Sequence, residues 1–571
     1  MTDKRSKNEI IKEKSRHLRG SIAEGLGKVV TGAISEDDAQ LTKFHGTYLQ
    51  DNRDVRGERA KKKLEQAYSF MIRLRLPGGL VTPAQWLALD KIADDYANHS
   101  LRLTTRQTFQ FHGVIKSNLK RTMQAINAAM LDTIAACGDV NRNVISAANP
   151  FLSAPHRAAY DLARDVSLHL MPRTGAYHEI WLDGEKVEDR SGPAGANEEP
   201  IYGTHYLPRK FKTVVAVPPV NDVDVFAQDL GFIAAVENGK VAGWNITVGG
   251  GMGMTHGEPN TFPRLADVLG FCSPEQAVDV AEKIVTVQRD WGNRDDRKRA
   301  RLKYTIEDRG LEAFREEVER RLGYKLGAAR PFEFASTGDK VGWQRGDDKK
   351  WHLTLFIENG RVKDRPGHEL RTALRRIAEV HTGSFVVTNN QNLIIAQVAP
   401  AARRKIEAIL AEHGISLTTT SGLRRNSMAC VALPTCGLAL AESERYLPEL
   451  ITALEGVLAK AGLDDDDIVI RMTGCPNGCA RPYVAEIGLV GRGPGLYNLY
   501  LGAAFNGSRL NKLYARDVDG ARAVQMLEPM FQRYAKEREA GERFGDFVIR
   551  AGYVKPTTAG NTFHADLAPG L

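Results

Sequence analysis

The sequence predicts an α+β fold built from two related halves. In each half, two segments of alternating apolar residues are separated by a helical stretch, and a glycine-containing strand region and a charged segment follow further along the chain. Self-similarity of this kind indicates internal duplication. We therefore expect a pseudo-twofold arrangement with a ligand site at the seam between the halves, where concave sites are favoured. The related pairs are 73–81 with 353–362, 103–112 with 387–396, 243–253 with 496–507, and 288–310 with 532–552.

Individual elements support the mixed class. The segments FKTVVAVPPV (211–220) and FVIRAGYV (547–554) are rich in β-branched and aromatic residues, which predicts strands. In contrast, the apolar residues of PEQAVDVAEKIVTVQRDW (274–291) recur at helical spacing. The sequence thus combines strands and amphipathic helices.

Length and composition set the general class. With 571 residues, 42% of them hydrophobic and 26% charged, the chain is a multidomain globular protein able to bury a large ligand. The beginning is charged and lacks an apolar core segment, and no stretch approaches the length of a membrane span. We expect a cytoplasmic protein that does not contact a membrane.

The net charge of +8 does not indicate nucleic acid, because basic and acidic residues alternate along the chain and no nucleic-acid-binding motif is present. An anionic cofactor, an anionic substrate or an acidic partner would use the same positive potential. The segment RDWGNRDDRKRARLK (289–303) is interpreted as a basic helix with a solvated charged face, with docking of an acidic electron donor as the alternative.

Four of the six cysteines form two short motifs. Cys430 and Cys436 are separated by five residues, and Cys475 and Cys479 by three residues, 38 residues later. Six cysteines are too few for a disulfide scaffold in a chain of this length. Four thiolates on irregular, proline-containing loops favour a 4Fe–4S cluster. Four buried free thiols and a structural zinc site remain alternatives.

The segments NSMACVALPTCG and RMTGCPNGCARP resemble the two-part signature of the siroheme sulfite and nitrite reductases, and the resemblance extends over nearly the whole chain. It is strongest to the bacterial sulfite reductase hemoprotein β subunit. The resemblance implies that the four cysteines bind the 4Fe–4S cluster and that the Cys479 thiolate is also the axial ligand of the siroheme iron. It further implies a duplicated fold of three domains, with ferredoxin-like halves around the siroheme–cluster seam.

We divide the chain accordingly. The predicted parts are an N-terminal extension (1–65), a first ferredoxin-like half (66–135), a first siroheme-flanking domain (136–339), a second ferredoxin-like half (340–415), and a second flanking domain with the cluster cysteines (416–571).

Basic residues suit a site for the siroheme carboxylates and a dianionic substrate. By resemblance, four residues bind sulfite and supply protons: Arg73, Arg142, Lys210 and Lys212. Arg102, Arg106, Gln110 and His112 recur near alternate positions of a predicted strand, which places them on one face. Besides Cys479, the resemblance assigns siroheme contacts to these four residues, with hydrogen bonds added by Asn143 and Asn477. A single arginine or lysine, without the resemblance, would be interpreted as surface, and His112 as a hydrogen-bonded core residue.

The resemblance implies assimilatory six-electron reduction of sulfite to sulfide, in cysteine biosynthesis. The alternatives are assimilatory nitrite reduction to ammonium and a non-enzymatic scaffold stapled by a metal. The chain lacks a nucleotide-binding glycine motif, so electrons from NADPH would arrive through a flavoprotein subunit, with ferredoxin as the alternative donor. Some relatives join a tyrosine and a cysteine near the siroheme, and we expect Tyr48 and Cys137 to approach each other here.

Overall fold

The computed structural model describes residues 5–173, 180–182, 185–188, 199–417 and 420–567. Four five-stranded sheets dominate these residues. Two of them form a composite ferredoxin-like domain, and the other two, which we call the first and second flanking sheets, lie in the two cofactor-flanking parts. In the described residues, no helix has the length and apolar character needed to cross a membrane.

The two sheets of the composite domain have the same design. Each contains four longer strands and a fifth, two-residue strand contributed by the other half. In the second sheet the four come from residues 340–415, whereas in the first Thr47–Asp51 comes from the predicted N-terminal extension, which therefore takes part in the domain. Arg361 pairs with Arg102, and Val81 pairs with Phe385, so the halves exchange edge strands. In spatial order the strands are Thr47–Asp51, Tyr68–Arg73, Phe109–Val114, Leu101–Leu103 and Arg361–Val362, and then Gly342–Arg345, Trp351–Leu355, Leu393–Val398, Ser384–Val387 and Leu80–Val81.

The flanking sheets also repeat one topology. In each, two parallel pairings are followed by two antiparallel ones. The first contains Ile145–Ser146, Thr213–Ala216, Leu230–Glu237, Lys240–Val248 and Asp267–Cys272, and the second contains Ser427–Ala429, Ile470–Thr473, Ile487–Gly493, Leu496–Leu501 and Lys512–Val518. The predicted pseudo-twofold duplication is confirmed.

Helices cover the sheets, and their apolar faces complete three large hydrophobic cores. One core contains residues from both ferredoxin-like halves, from Phe70 to Ile415, so these halves fold together. The helices are Lys7–Lys14, Ile22–Gly27, Glu36–Leu41, Arg56–Lys61, Pro83–Tyr96, Leu119–Ala128, Ala154–His169, Ala277–Trp291, Leu302–Arg309, Leu311–Leu322, Leu370–Val380, Arg403–Glu412, Gly422–Arg425, Leu447–Ala461, Gly520–Glu537 and Phe544–Arg550. Two short hairpins, Ile180–Leu182 with Glu185–Glu188 and Asp364–Arg365 with His368–Glu369, complete the strands.

The strand predicted at 547–554 is wrong, because this segment continues the helix Phe544–Arg550. Its buried residues Phe544, Phe547 and Val548 are spaced by three and four positions, which places them on one helical face. Packing of that face against the core outweighs the strand preference of the individual residues.

The interpretation of 289–303 as one helix with a solvated face is also wrong. The helix breaks at Gly292. Arg301 forms a buried ion pair with Asp229 at 2.7 Å, and the fully buried Lys303 donates hydrogen bonds to backbone carbonyls. Arg301 and Lys303 therefore stabilise the interior, and docking of an acidic donor on the remaining basic residues of this segment stays a prediction.

Candidate active site

The cysteine loops leave the second flanking sheet at one edge. Cys430 follows the strand Ser427–Ala429 directly, and Cys475 lies two residues after the neighbouring strand Ile470–Thr473. These strands are parallel, so their carboxyl ends meet. Burial, and after it the charge that the Cys479 thiolate would carry, raises the pKa of Cys430, Cys436 and Cys475. These mutual effects indicate that the four thiols lie near one another.

Nitrogen donors surround the sulfur atoms. The Gly474 N–H donates to Cys430 Sγ at 3.3 Å, and the Asn477 Nδ2 group donates to Cys475 Sγ at 3.5 Å. Backbone N–H groups of Leu438 and Ala439 also reach the Cys436 thiol. Such bonds stabilise thiolates and tune the potential of an iron–sulfur cluster. The loops that carry the cysteines thus direct N–H groups at three of the four sulfur atoms.

The thiol geometry suits a cluster better than one ion. The described part of the chain contains no group of three or more His, Cys, Asp or Glu side chains that could hold a single metal ion. Zinc would draw its ligands to within about 2.3 Å of one point, whereas each thiolate of a 4Fe–4S cluster binds a different iron. Burial raises the pKa of Cys475 to about 11, so cluster binding would release protons. Cys479 is the exposed member of the set, available to a second group.

Two lysines of the segment 209–212 have ammonium groups with no bonded counter-charge among the described residues, and one of them, Lys210, lies near Cys479. Lys210 and Lys212 are half-buried, and neither ammonium forms a hydrogen bond or ion pair with the residues that the structure describes. Burial, followed by the charges of Arg209 and Arg142, lowers the pKa of Lys210 well below its usual range. Burial and Lys210 do the same for Lys212. Buried charges are normally paired, so these lysines indicate a site for an anion.

Arg73 and Arg142 are held by a tyrosine–cysteine pair. The Tyr48 hydroxyl lies near the Cys137 thiol, so the predicted approach of these two residues is present in the fold. Tyr48 also lies near the Arg142 guanidinium, and Arg73 Nη1 lies 3.1 Å from Cys137 Sγ. With the Gln110 amide oxygen turned toward Arg73, Arg73 Nε donates to it at 2.9 Å. The pair therefore orients two of the predicted substrate residues.

Replacing Tyr48 with phenylalanine is expected to raise the KM for sulfite several-fold with a smaller change in kcat. The hydroxyl faces the charged Arg142 guanidinium, and a hydrogen bond to a charged group contributes about 1.5–3 kcal/mol. Without the hydroxyl, the guanidinium keeps its bond to the Gly138 carbonyl but loses the contact on its tyrosine side. Steady-state kinetics with a reduced dye would measure both constants. Tyr553→Phe is the matched control, because it removes a tyrosine–arginine hydrogen bond of 3.0 Å at the surface. Equal changes of KM in Tyr48→Phe and Tyr553→Phe would contradict the role of Tyr48 in orienting Arg142.

The thioether between Tyr48 and Cys137 stays a prediction. Its formation is a two-electron oxidation: the new C–S bond replaces one ring C–H bond and the thiol S–H bond, and the two electrons and two protons pass to an external oxidant such as dioxygen. Peptide masses that show both residues unmodified in purified protein would exclude it.

A carboxylate joins the strands that carry Arg102 and Arg361 to the cysteine loop. Glu444 accepts hydrogen bonds from Arg102 Nε at 2.8 Å and Arg361 Nε at 2.6 Å, while its N–H donates to the Cys430 carbonyl at 3.0 Å. Arg361 also lies 3.4 Å from His112 Nδ1. A cavity of about 820 Å³ is lined by His112, Arg361, Glu444 and the loop after Cys430, but not by the four predicted substrate residues.

Other predicted cofactor contacts are occupied by the protein itself. Arg106 donates to the Asn143 carbonyl and to Thr213 O at 3.2 Å. The Asn143 amide accepts from the N–H of Leu76 at 2.7 Å and donates to the Leu76 carbonyl at 2.9 Å. These two side chains position the backbone around the site, and their contact with siroheme stays a prediction.

Sequence reasoning missed Glu444 and Asp229. Asp229 accepts from the N–H of Lys212 at 3.0 Å and pairs with Arg301, which fixes the backbone of the lysine segment. Neither acid belongs to a motif, and each acts on residues distant in sequence. Only the folded chain reveals them.

Together, these features define a class of protein: a duplicated α+β oxidoreductase with a four-cysteine cluster site beside an anion-binding cleft. The four thiols with their N–H donors, the exposed Cys479 and the unpaired lysines fit a 4Fe–4S cluster and an anionic siroheme that share the Cys479 thiolate.

Comparisons with known proteins agree. Residues 62–129 and 344–413 match the nitrite/sulfite reductase ferredoxin-like half domain. Residues 163–326 match the nitrite and sulphite reductase 4Fe-4S domain, although the four cluster cysteines lie outside this segment, in the second half of the duplication.

Similarity to individual proteins covers nearly the whole chain. A sulfite reductase (NADPH) hemoprotein beta-component of Methylorubrum extorquens is 63% identical over 98% of this chain and 92% of its own length. One from Geobacillus kaustophilus is 58% identical over 97% of both chains. The structure of the Mycobacterium tuberculosis NirA protein has a TM-score of 0.76 at 25% identity and covers 96% of each chain. The chain belongs to the nitrite and sulfite reductase family.

Proposed function

We propose that this chain catalyses the six-electron reduction of sulfite to sulfide in assimilatory sulfur metabolism. The observation that carries the proposal is the pair of half-buried ammonium groups of Lys210 and Lys212, which have no bonded partner among the described residues; Lys210 lies near Cys479. The relatives with 58–63% identity carry the name sulfite reductase. A scaffold with a purely structural metal would leave these lysines unexplained.

The reaction divides between cofactors and protein. When bound, siroheme and the 4Fe–4S cluster would supply the electrons for the reduction, and Cys479 would be available to both groups. Cys430, Cys436, Cys475 and Cys479 would hold the cluster, and the sheet face at Gln110 and His112 would receive the siroheme. The cofactors would supply electrons, whereas the residues at the cleft bind the oxygen atoms of sulfite and deliver protons to them.

The basic residues of the cleft bind the substrate oxygens and supply the protons. The guanidinium groups of Arg73 and Arg142 bind sulfite oxygens with fixed geometry. Lys210 and Lys212 have lowered pKa values, so they lose a proton more readily than an exposed lysine. Each oxygen of sulfite must leave as water and consumes protons. Preorganised cations in a site shielded from water stabilise the charge that develops on those oxygens.

The name of the relatives also suggests an electron path. We infer that NADPH reduces a separate flavoprotein subunit, which then reduces the cluster of this chain. Ferredoxin is the alternative donor. A cytoplasmic location suits both donors.

Replacing Lys212 with methionine tests the assignment. The variant keeps the length and apolar stem of the side chain but removes the charge and the proton. We expect kcat/KM for sulfite to fall by about 100-fold or more, since removal of one preorganised electrostatic donor costs about 10²–10³-fold. The rate of sulfide production from sulfite, measured anaerobically with a reduced dye as the electron donor, gives kcat/KM. The control is Lys298→Met, which removes a lysine from an exposed ion pair. Wild-type activity in Lys212→Met would overturn the role of this lysine.

A further inference from the structure

A buried ion-pair cluster lies at the centre of the molecule. Asp224, Arg471 and Arg481 are 2%, 2% and 3% exposed. Arg471 Nη1 donates to Asp224 Oδ2 at 2.6 Å, and Arg481 Nε donates to the same oxygen. The remaining donors of Arg481 reach out of the cluster: Nη1 lies 3.3 Å from the carbonyl oxygen of Thr105, and Nη2 lies 3.1 Å from that of Asn389.

The two carbonyl groups are equivalent in the duplicated fold. They belong to the second residue of the turns 104–108 and 388–392, which close with the same pair of backbone hydrogen bonds. The glutamine of each turn, Gln107 or Gln391, has a positive φ, 49° in the first and 68° in the second. One guanidinium therefore binds the same atom in both ferredoxin-like halves, and this places Arg481 at the pseudo-twofold axis.

Asp224 and Arg481 are themselves counterparts. Each has a left-handed backbone, with φ of 46° and 55°, and each precedes a 3₁₀ turn that leads into the central strand of its flanking sheet. At a twofold axis a residue meets its own counterpart, so identical charges would repel each other. The opposite charges of this pair remove that repulsion and join the two flanking parts, while the guanidinium joins the two halves.

The ion-pair cluster of Asp224, Arg471 and Arg481 is connected to Cys479. Cys479 lies two residues before Arg481, and its carbonyl accepts a hydrogen bond from Thr105 Oγ1 at 3.3 Å. The Arg481 N–H donates to the carbonyl of Gly478 at 2.9 Å, and the Arg481 carbonyl accepts from Arg471 at 3.4 Å. The backbone is thus held on both sides of Cys479.

We propose that Arg481 is a positioning residue for Cys479: by binding Asp224 and one carbonyl from each ferredoxin-like half, it fixes the loop that presents the bridging thiolate. This inference rests on the proposed function, in which Cys479 is shared by the cluster and siroheme. It assigns no contact with substrate to Arg481. Its loss is therefore expected to alter the coupled iron centres and leave sulfite binding nearly intact.

The test compares Arg481→Met, Arg481→Lys and a control in the full chain with cofactors bound. Lysine retains the charge that Asp224 requires but cannot donate to both carbonyls as the guanidinium fork does. The control is Arg371→Met, because Arg371 is also a buried arginine that binds an aspartate, Asp90, and backbone carbonyl groups. Turnover per bound iron, KM for sulfite, the electron paramagnetic resonance spectrum and the urea midpoint are measured.

For both Arg481 variants we expect kcat per bound iron to fall by about 10–100-fold, as for other residues that orient metal ligands, with KM for sulfite changed by less than about twofold. The spectrum of the iron centres should change. Arg371→Met should lower the urea midpoint but keep the wild-type spectrum and kcat per iron. If Arg481→Met does not fold, Arg481→Lys decides. Wild-type kcat and spectrum in the folded variants would overturn the proposal, whereas a wild-type protein that makes no sulfide would overturn the proposed function instead.

Discussion

Replacing Cys479 with serine is expected to abolish sulfite reduction. This thiol is the exposed member of the cysteine set, in the loop that Arg481 and Thr105 hold. Serine has nearly the same shape but does not provide the thiolate that an iron–sulfur cluster requires. Loss of a residue that only orients a ligand costs about 10–100-fold, so the loss of the shared ligand should exceed about 100-fold.

The measurement is sulfide production per folded protein with a reduced dye as donor, together with iron content and the visible spectrum. Cys272→Ala is the matched control. Cys272 is a buried thiol of the first flanking sheet, and burial alone raises its pKa to about 12. We expect this variant to lose some stability and to retain its turnover per iron. Substantial sulfide production by Cys479→Ser would contradict the role of Cys479 as the shared ligand.

Replacing Glu444 with glutamine is expected to destabilise the chain by about 3–5 kcal/mol, the cost of breaking a buried ion pair by removing one partner. The Arg102 and Arg361 side chains are 4% and 12% exposed, and both would lose their counter-charge. Urea unfolding measures the change. Asp54→Asn is the control, because its pair with Arg445 is nearly half exposed on both sides and should contribute about 0–1 kcal/mol. Equal losses in the two variants would contradict the account.

Glu444 also predicts a pH dependence of stability. Burial alone would raise its pKa, but Arg361 and Arg102 outweigh burial and lower the pKa to about 2, from 4.5. A carboxyl group with a lowered pKa in the folded state stabilises the protein above its unfolded pKa and loses that contribution as the pH falls. The urea midpoint of the wild type should therefore fall more steeply than that of Glu444→Gln between pH 4.5 and pH 2. If the urea midpoints of the wild type and Glu444→Gln fell in parallel with pH, Glu444 would not be the source of the pH dependence of stability.

The features predicted correctly from sequence are those encoded locally or by repetition. The repeated segments preserve strand patterns, so the duplicated α+β fold could be predicted from pairs such as 243–253 and 496–507. The two cysteine motifs could be assigned to one cluster because thiols at such spacing have few other uses. The roles of the basic residues depended on family resemblance, since a single arginine or lysine has no distinctive local pattern.

What the sequence did not reveal depends on contacts between distant residues. In the basic segment 289–303, the sequence alone predicts solvated side chains. The fold shows that Arg301 binds Asp229 and that Lys303 binds a backbone carbonyl group. Similarly, the link between Glu444 and Arg102 spans 342 positions. Helix Phe544–Arg550 shows the same limit for secondary structure, because its apolar face is decided by the core that it covers.

The measurement that tests the central claim most directly is kcat/KM for sulfite and for nitrite, determined anaerobically with a reduced viologen as the electron donor. The dye removes any need for a partner protein. We predict a higher kcat/KM for sulfite, with sulfide as the product. A preference for nitrite with ammonium as the product would keep the fold and cofactors but contradict the proposed substrate, and no turnover of either anion by iron-replete protein would contradict the catalytic role of the site.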